Sequence, residues 1–257
     1  MLKNRTVNIA CVLIVISLMI SDNYAEIPLW IYLVVLFVYS LLQAYGSIVL
    51  SAGFFVDVQS SGKPDSKEVA LTFDDGPVPG KTEQILGILE RYNVRASFFC
   101  IGNRVKEFPQ LTVRIHSEGH LIGNHSYWHG KLFDLQTPSA INKELTDTNE
   151  IISSTLGIRP RFFRPPYGVT NPMVASAIQQ GEFKTIGWSV RSLDTVIKDS
   201  EKLFAKVTSA LKGGDIVLFH DFSDATIKIL PAFIEHIQKS GLRIVRVDEL
   251  LNEKAYA

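Results

Sequence analysis

The sequence has few cysteines and no excess of either charge, and both absences limit what the protein can be. Its two cysteines, Cys11 and Cys100, lie far apart in apolar surroundings. They indicate neither a disulfide framework nor a thiolate metal site. Lys plus Arg equals Asp plus Glu at 26 each, so the net charge gives no reason to expect a nucleic-acid partner. Internal repeats and low-complexity tracts are also absent, while the apolar content of 46% is ample for a core.

Charged side chains are missing from one long stretch near the amino terminus. Residues 27–50 form a run of 24 residues without a single charge. As a helix this run would extend about 36 Å, enough for a hydrocarbon core of about 30 Å. Trp30 and Tyr32 fit the aromatic belt found at membrane interfaces. We therefore predict a transmembrane helix here.

A shorter apolar run, residues 7–20, precedes that span and resembles the core of a signal peptide. No small-residue cleavage signature follows it, and a full span comes next, so we predict an uncleaved helical hairpin that turns within residues 21–26. The hairpin leads to a division of the chain into a membrane anchor (1–58), a solvated linker (59–67) and a globular domain (68–257).

The orientation of the hairpin depends on very few charges. Lys3 and Arg5 favour a cytoplasmic amino terminus, and two crossings would then return the large domain to the cytoplasm. If the short first run does not span, the same charges place the domain outside. The sequence thus predicts an integral membrane protein and leaves the side of the domain open.

Beyond the linker, apolar strand-like runs alternate with amphipathic helices about seven times over roughly 185 residues. Such alternation predicts an α/β domain with a parallel sheet, closed or nearly closed into a (β/α) barrel of about seven strands. An open, doubly wound sheet is the alternative. The predicted strands cover residues 68–73, 96–101, 121–123, 162–164, 184–188, 215–219 and 242–247.

Two adjacent acids stand where the first of these strands ends. Residues 72–77 read Thr-Phe-Asp-Asp-Gly-Pro, and the Gly-Pro pair cannot continue a strand. Because side chains alternate along a strand, Asp74 and Asp75 can point to different places, one toward a bound ion and one toward whatever that ion holds. An ordinary strand-to-turn junction is the alternative interpretation, since Asp and Gly are common turn residues.

Two histidines follow the third predicted strand. His125 and His129 have the i, i+4 spacing that places both imidazoles on one side of a helical turn. Together with Asp75 they make a His-His-carboxylate set of the kind found in catalytic zinc sites, which leaves positions open for water and substrate. Surface histidines on a helix are the alternative. His116 and His120 share the spacing, and we interpret them as a helix end.

Three more polar residues end later strands and should reach the same rim. Arg164 can form a paired hydrogen bond with a carboxylate, and the prolines after it stiffen the loop so that Tyr167 presents a backbone N–H at a fixed point. His220 can donate a proton to a leaving group near neutral pH. Taken singly, Arg164 could be a structural ion-pair residue and His220 a hydrogen-bonded structural histidine.

These motifs, TFDDGP, GHLIGNHSYWH, FFRPPYG and VLFHD, occur in that order. The set resembles the polysaccharide deacetylase family, carbohydrate esterase family four, which includes chitin, chitooligosaccharide and peptidoglycan N-acetylglucosamine deacetylases. The resemblance covers about residues 68–251. It implies metal-dependent hydrolysis of an N-acetyl group from an amino sugar on a distorted (β/α) barrel, here in the cytoplasmic membrane of a bacterium.

The resemblance also implies a role for each motif residue. Asp74 would be the base that activates water, and Asp75, His125 and His129 would hold a divalent metal. Zinc suits that set, although cobalt, nickel or manganese could occupy it. The remaining roles would be to orient Asp74 (Arg164), to hold the oxyanion through a backbone N–H (Tyr167), to protonate the departing amine (His220) and to wall the acetyl pocket (Trp188 and Leu218).

One motif departs from the family pattern. An acid commonly follows the Trp-Ser pair and is thought to pair with the catalytic histidine, but Arg191 takes that place here. A cation near His220 would lower the pKa of that histidine unless Arg191 turned away to pair with an acid. Asp194 can supply the missing carboxylate from a different position.

Three functions remain open from the sequence. The first is a membrane-anchored deacetylase of N-acetylated sugars in a glycan or glycan precursor. The second keeps the chemistry but acts on a lipid-linked sugar at the cytoplasmic membrane face. The third is a catalytically silent glycan-binding homologue, which the retained acids and histidines argue against, because binding alone needs no paired acids beside a metal. The expected partners are the sugar substrate and the lipid bilayer, and the sequence does not predict an oligomeric state.

Overall fold

The computed structural model describes residues 2–209 and 211–257 as alternating helices and strands. The strands are β1 (Val58–Gln59), β2 (Glu68–Gly76), β3 (Ser97–Cys100), β4 (Leu121–Asn124), β5 (Phe162–Phe163), β6 (Lys184–Ile186), β7 (Val190–Arg191), β8 (Ile216–His220) and β9 (Arg243–Val245). The helices are α1 (Asn4–Asp22), α2 (Leu29–Ile48), α3 (Thr82–Arg91), α4 (Gly102–Glu107), α5 (Pro109–Ser117), α6 (Pro138–Leu156), α7 (Pro172–Gln180), α8 (Ser200–Thr208), α9 (Asp224–Lys239) and α10 (Val247–Leu251).

All pairings between these strands are parallel, and they form one curled sheet. The strand order is β1-β6-β5-β4-β3-β2-β8-β7, with β9 paired to β2 as well. The sheet is a (β/α) half-barrel, which confirms the predicted parallel architecture. Among the described residues it has nine strands rather than about seven, because β1 and β7 each consist of one apolar and one polar residue and so lack the apolar run that marks the other strands.

Aromatic side chains fill the core between the centre of the sheet and its covering helices. The ring of Phe73 on β2 stacks on Phe98 of β3 and Phe219 of β8, with centroids 5.1 and 6.0 Å away. Phe233 of α9 meets Phe219 edge-on at 5.5 Å. All four side chains have no exposed surface. This core fixes β2, β3 and β8 relative to one another, and their carboxyl ends carry much of the site described below.

The sequence also predicts a long helix from about Pro138 to Leu156 that stops at Gly157, and α6 begins and ends at these residues for identifiable reasons. Thr137 precedes it, and the Thr137 hydroxyl accepts a hydrogen bond from the Ala140 N–H, which would otherwise have no partner in the first turn. Gly157 follows it with φ of 72°, the left-handed conformation that commonly closes a helix.

The two amino-terminal helices pack side by side as a hairpin. Each is long and apolar enough to be a membrane span, a test that a signal sequence also passes. Polar side chains join them along the contact, with the Tyr39 hydroxyl donating to Asn8 at 3.1 Å and the Gln43 amide donating to Asn4 at 3.1 Å. The apolar run of residues 7–20 suggested a helix too short to span a membrane. The helix α1 is longer than that run, at 19 residues, and reaches the length of a span.

The segment predicted as a solvated linker contacts the sheet through its backbone. Gln59 pairs with Ile186 in β1, and the Gly62 N–H donates to the Gly214 carbonyl at 2.7 Å. Gly213 lies directly against the Ser66 carbonyl. Backbone groups of residues 59–67 thus find partners on the domain. The division into anchor, linker and domain stays a prediction.

This attachment can be tested with two glycine substitutions in the full-length chain. Gly213→Ala should lower the midpoint of urea unfolding, because the added Cβ would overlap the Ser66 carbonyl oxygen. Gly87→Ala in α3 is the matched control: its Cβ would meet nothing, and it should raise stability by about 0.5–1 kcal/mol through helix propensity. Equal unfolding midpoints for the two variants would contradict the close packing at Gly213.

Candidate active site

The two adjacent acids lie within β2 and not at a turn after it. β2 continues to Gly76, but its register against β3 shifts between Asp74 and Gly76. Asp75 has φ of 72°, so it is the extra residue of a β-bulge. In a regular strand the two side chains would point to opposite faces, whereas here both line one pocket.

The loop after β4 holds the two histidines, and it is not a helical turn as predicted. Ser126 and His129 adopt left-handed φ values of 63° and 50°, and side chains within the loop support this path. Asn124 accepts the Ser126 N–H at 3.0 Å, and Ser126 accepts the His129 N–H at 3.1 Å. The imidazoles of His125 and His129 still meet, with centroids 4.8 Å apart. The prediction of a helical turn is wrong, but the two imidazoles lie close together as expected.

Asp75, His125 and His129 form a group that could hold a metal ion. One carboxylate oxygen of Asp75 lies 3.4 Å from Nε2 of His125 and 3.3 Å from Nε2 of His129. The ligand atoms of the three residues all lie within 4.8 Å of one another. That Asp75 oxygen is buried and has no hydrogen-bond donor among the described residues. A buried anionic oxygen facing two imidazole nitrogens fits a divalent cation.

The orientation of His125 also fits a ligand role. Its Nδ1 lies 2.8 Å from the Arg164 carbonyl oxygen, which can only accept, so Nδ1 carries the proton. The Nε2 lone pair then faces Asp75, the arrangement seen when a backbone carbonyl orients a metal-binding histidine. Burial would raise the pKa of Asp75, but the positive charge that His125 and His129 carry when protonated holds that pKa well below its usual range.

The guanidinium of Arg164 fixes the second acid. Arg164 is fully buried, and its Nη1 donates to Asp74 Oδ1 and to the Thr72 hydroxyl, each at 2.8 Å. Its other nitrogens donate to the carbonyls of Gly187 at 2.8 Å and Ile186 at 3.2 Å. With Oδ1 held in this way, the other oxygen of Asp74 is left toward His125, 3.8 Å from Nε2.

On the other side of the pocket, His220 is paired with Asp194. Nδ1 of His220 lies 2.7 Å from Asp194 Oδ1, and the His220 backbone N–H donates to Oδ2 at 2.8 Å. Asp194 is fully buried, and Thr226 and Ser192 also donate to it, at 2.5 and 2.9 Å. Burial would lower the pKa of His220, but the hydrogen bond and charge of Asp194, with the charges of Asp74 and Asp75, raise it.

Arg191 does not act on His220 in the way its sequence position suggested. Its guanidinium carbon lies 5.7 Å from the centroid of the Trp188 ring, at the rim of the pocket. The pKa of His220 is raised and not lowered. The group beside His220 is the carboxylate of Asp194 and not the guanidinium of Arg191.

The pocket walls include the three predicted substrate-contacting residues. Tyr167, Trp188 and Leu218 all line it. The backbone of Tyr167 has a left-handed φ of 59°, and its hydroxyl donates to the His129 carbonyl at 3.3 Å. Further lining residues not singled out from the sequence are Leu193, Thr195 and Phe222.

Another buried acid, Asp221, follows His220 and was given no role from the sequence. One of its oxygens accepts from the Thr82 hydroxyl at 2.7 Å, and a Cβ on Gly76 would overlap this carboxyl group. Burial raises the pKa of Asp221 to about 7. Asp221 is the last residue of the VLFHD motif, and this position was the only sign in the sequence that it belongs near the site. The sequence alone does not show which groups that acid contacts.

Sequence comparison agrees with this geometry. The polysaccharide deacetylase family model matches residues 61–186. A peptidoglycan-N-acetylglucosamine deacetylase of Bacillus cereus is 33% identical over 195 residues, which cover 74% of this chain and 91% of that protein. This chain belongs to the polysaccharide deacetylase family. The enzymes of the family are hydrolases that act on N-acetyl amide bonds of sugars.

Other relatives are longer or differ in activity. The chain is 34% identical over 187 residues to the peptidoglycan-N-acetylmuramic acid deacetylase PdaC of Bacillus subtilis, but it spans only 39% of that protein. The solved structure of the Bc1960 peptidoglycan N-acetylglucosamine deacetylase superimposes with a TM-score of 0.72 at 30% identity, covering 78% of this chain and 95% of that one. BA3943 of Bacillus anthracis, a family pseudoenzyme, gives the same TM-score at 29% identity, with coverage of 77 and 70%. The fold therefore does not by itself establish activity.

The Asp194–His220 pair gives a prediction about proton affinity. In Asp194→Asn the pKa of His220 should fall, because the protonated ring loses its hydrogen-bonded anion. Arg191→Ala should leave that pKa nearly unchanged. The measurement is a titration of the His220 ring signal by NMR in ¹³C-histidine-labelled protein. A rise in the pKa on removal of Arg191 would show that this cation acts on the histidine after all.

Proposed function

We propose that this chain is a metal-dependent hydrolase that removes N-acetyl groups from amino sugars of a glycan or glycan precursor. The observation that carries the proposal is the arrangement around one pocket. A possible metal site, a carboxylate held by a buried arginine and a histidine paired with a buried acid all face the same space. Amide hydrolysis needs these three components, because an amide resists attack until its carbonyl is polarised and its nitrogen protonated.

Asp75, His125 and His129 would hold the metal, and two imidazoles with one carboxylate suit zinc, although cobalt, nickel or manganese could also bind. A divalent metal held there would supply a Lewis acid for the acetamido carbonyl and would lower the pKa of a water molecule. Two observations support this assignment: Oδ1 of Asp75 has no hydrogen-bond donor among the described residues, and the proton of His125 is on Nδ1, which leaves Nε2 free to bind a metal.

Asp74 is the proposed base. Its Oδ1 is occupied by Arg164, so Oδ2 is the oxygen left to take a proton from water in the pocket. The backbone N–H of Tyr167, in the stiff loop after β5, is the proposed donor to the oxyanion that forms when water adds to the carbonyl.

His220 is the proposed acid that protonates the leaving amine. Its Nδ1 side is turned to Asp194, which leaves Nε2 for the substrate. The raised pKa keeps the ring protonated closer to neutral pH, where a proton donor for the amine is needed. Trp188 and Leu218 are the proposed apolar walls for the acetyl methyl group.

The relatives support the substrate class. The Bacillus cereus protein is named for N-acetylglucosamine and PdaC for N-acetylmuramic acid, both N-acetylated amino sugars. We propose the same class for this chain. The alternative is a silent glycan-binding homologue, as the pseudoenzyme relative illustrates. The proposed base, acid and ligand residues are all present here in one pocket, which favours an enzyme.

We further propose that α1 and α2 anchor the domain in the cytoplasmic membrane. Each helix is long and apolar enough to span, and the contact between them makes a hairpin. A hairpin would place the domain on the same side as Lys3 and Arg5.

Metal binding and turnover should separate in two variants. Asp75→Ala should lose most of its metal, because a charged ligand is removed, as measured by elemental analysis of the purified protein. Asp74→Asn should keep the metal and lose at least about a hundredfold in acetate release, the scale expected for a lost general base. Unchanged turnover in Asp74→Asn would contradict the assignment of the base.

Activity itself is tested by acetate release from defined N-acetylglucosamine oligomers and lipid-linked N-acetylglucosamine, with zinc added. Acetate from any of them supports the deacetylase. Binding of these sugars by the zinc-loaded protein without acetate release would favour the silent homologue.

A further inference from the structure

Three large apolar side chains face solvent in segments that also supply residues of the pocket. Leu132 and Leu135, in the loop after β4, are 67 and 72% exposed, and Met173 at the start of α7 is 45% exposed. The loop with the two leucines also carries His125 and His129, which line the pocket, and Leu132, Leu135 and Met173 are together called the exposed rim. A cluster of this kind beside a polar site is typical of a docking surface.

These residues lie next to the ends of both apolar helices. The Thr170 N–H donates to the carbonyl of Ser47, in the last turn of α2, at 3.1 Å. Asn171 donates to the Asp134 carbonyl, which joins the start of α7 to the loop between Leu132 and Leu135. Asn4, the first residue of α1, lines the same surface groove as Pro172. The exposed rim is therefore continuous with the hairpin.

The pocket is also close to the end of α2. Tyr167 lines the pocket and stands three residues before Thr170, so at most about 11 Å of chain separates it from the contact with Ser47. The hydrogen bond to Ser47 attaches the hairpin directly to the rim. Residues 49–67, which connect α2 to β2, pair with the domain at β1 and at Gly62, so they hold the pocket close to the hairpin.

We propose that Leu132, Leu135 and Met173 rest in the surface of the bilayer, and that the pocket takes its amino sugar from a lipid carrier in the same membrane. This inference rests on the proposed deacetylase function and on the hairpin as a membrane anchor. A sugar on a lipid phosphate lies at the level of the head groups, where a pocket attached in this way would meet it. Apolar side chains at that level gain burial in the boundary between head groups and acyl chains.

The position of the rim can be tested without activity. An environment-sensitive fluorophore is placed on Leu135→Cys, in full-length protein with Cys11→Ser, since Cys100 is buried. The protein is reconstituted in nanodiscs of phosphatidylethanolamine and phosphatidylglycerol with spin-labelled lipid. Val196→Cys is the matched control: Val196 is 74% exposed and follows β7, at the opposite end of the strand order from β1.

We expect the spin-labelled lipid to quench the fluorophore at position 135 and to leave the one at position 196 nearly unquenched. Equal quenching at the two positions, or none at position 135, would overturn the proposal. Cross-linking between copies at position 135 without quenching would indicate a second copy of the chain on this surface, which also overturns it.

The substrate class is tested by turnover in proteoliposomes. The double variant Leu132→Ser, Leu135→Ser should lose about tenfold in acetate release from lipid-linked N-acetylglucosamine, because the rim no longer inserts. The same variant should keep its rate on a water-soluble N-acetylglucosamine tetramer, and Val196→Ser should keep both rates. Equal losses on the two substrates would overturn the membrane role of the rim.

The two levels of proposal fail in different ways. If the unaltered protein releases acetate from the soluble tetramer and not from the lipid-linked sugar, the deacetylase stands and the lipid-carrier inference falls. If it releases acetate from neither, the proposed function falls. The quenching experiment still decides whether the rim lies in the bilayer.

Discussion

The buried guanidinium of Arg164 is the group on which the rest of the site depends. It extends from the end of β5 and donates to Thr72 and Asp74 on β2 and to two carbonyls at the end of β6. The backbone carbonyl of Arg164 orients His125. The charge of the guanidinium lies 4.1 Å above the Phe99 ring. A buried cation is tolerated only when it is paired with an anion and its N–H groups have acceptors. Asp74 supplies the anion, and the Thr72 hydroxyl and two backbone carbonyls supply further acceptors. The same contacts that compensate its burial fix the acid and one of the imidazoles.

The two sides of the pocket differ in how they hold protons. On one side, Asp75 is kept ionised by the imidazoles around it, and His125 has its proton on the nitrogen turned away from that acid. On the other side, Asp194 raises the proton affinity of His220. Neighbouring groups whose surroundings push their pKa values apart are the usual basis for separate acid and base functions in one site. Here the separation comes from which partner each ring faces.

Much of the fold was readable from the sequence, and the errors have physical causes. Long periodic elements such as α6 were placed well, because capping and termination depend on local residues. The strands β1 and β7 were missed because each has one apolar and one polar residue, whereas the equally short β5 consists of two phenylalanines. The i, i+4 histidines suggested a helix, but left-handed residues in a loop bring the same two rings together. The pairing of Asp194 with His220 spans 26 positions, and sequence spacing leaves such a contact open.

The bulge at Asp75 has a consequence for how the acid pair can be transplanted or altered. In an unbroken strand of this sheet, consecutive carboxylates would face opposite sides, and one of them would be lost to the pocket. The pair is useful only together with the irregular backbone at Asp75 and its carbonyl's hydrogen bond from Arg104. If the two acids were placed on a regular strand of another protein, only one of them would face the pocket, so the site would have either the base or the metal ligand but not both. The chemistry therefore depends on the register shift of the backbone at Asp75 as much as on the two side chains.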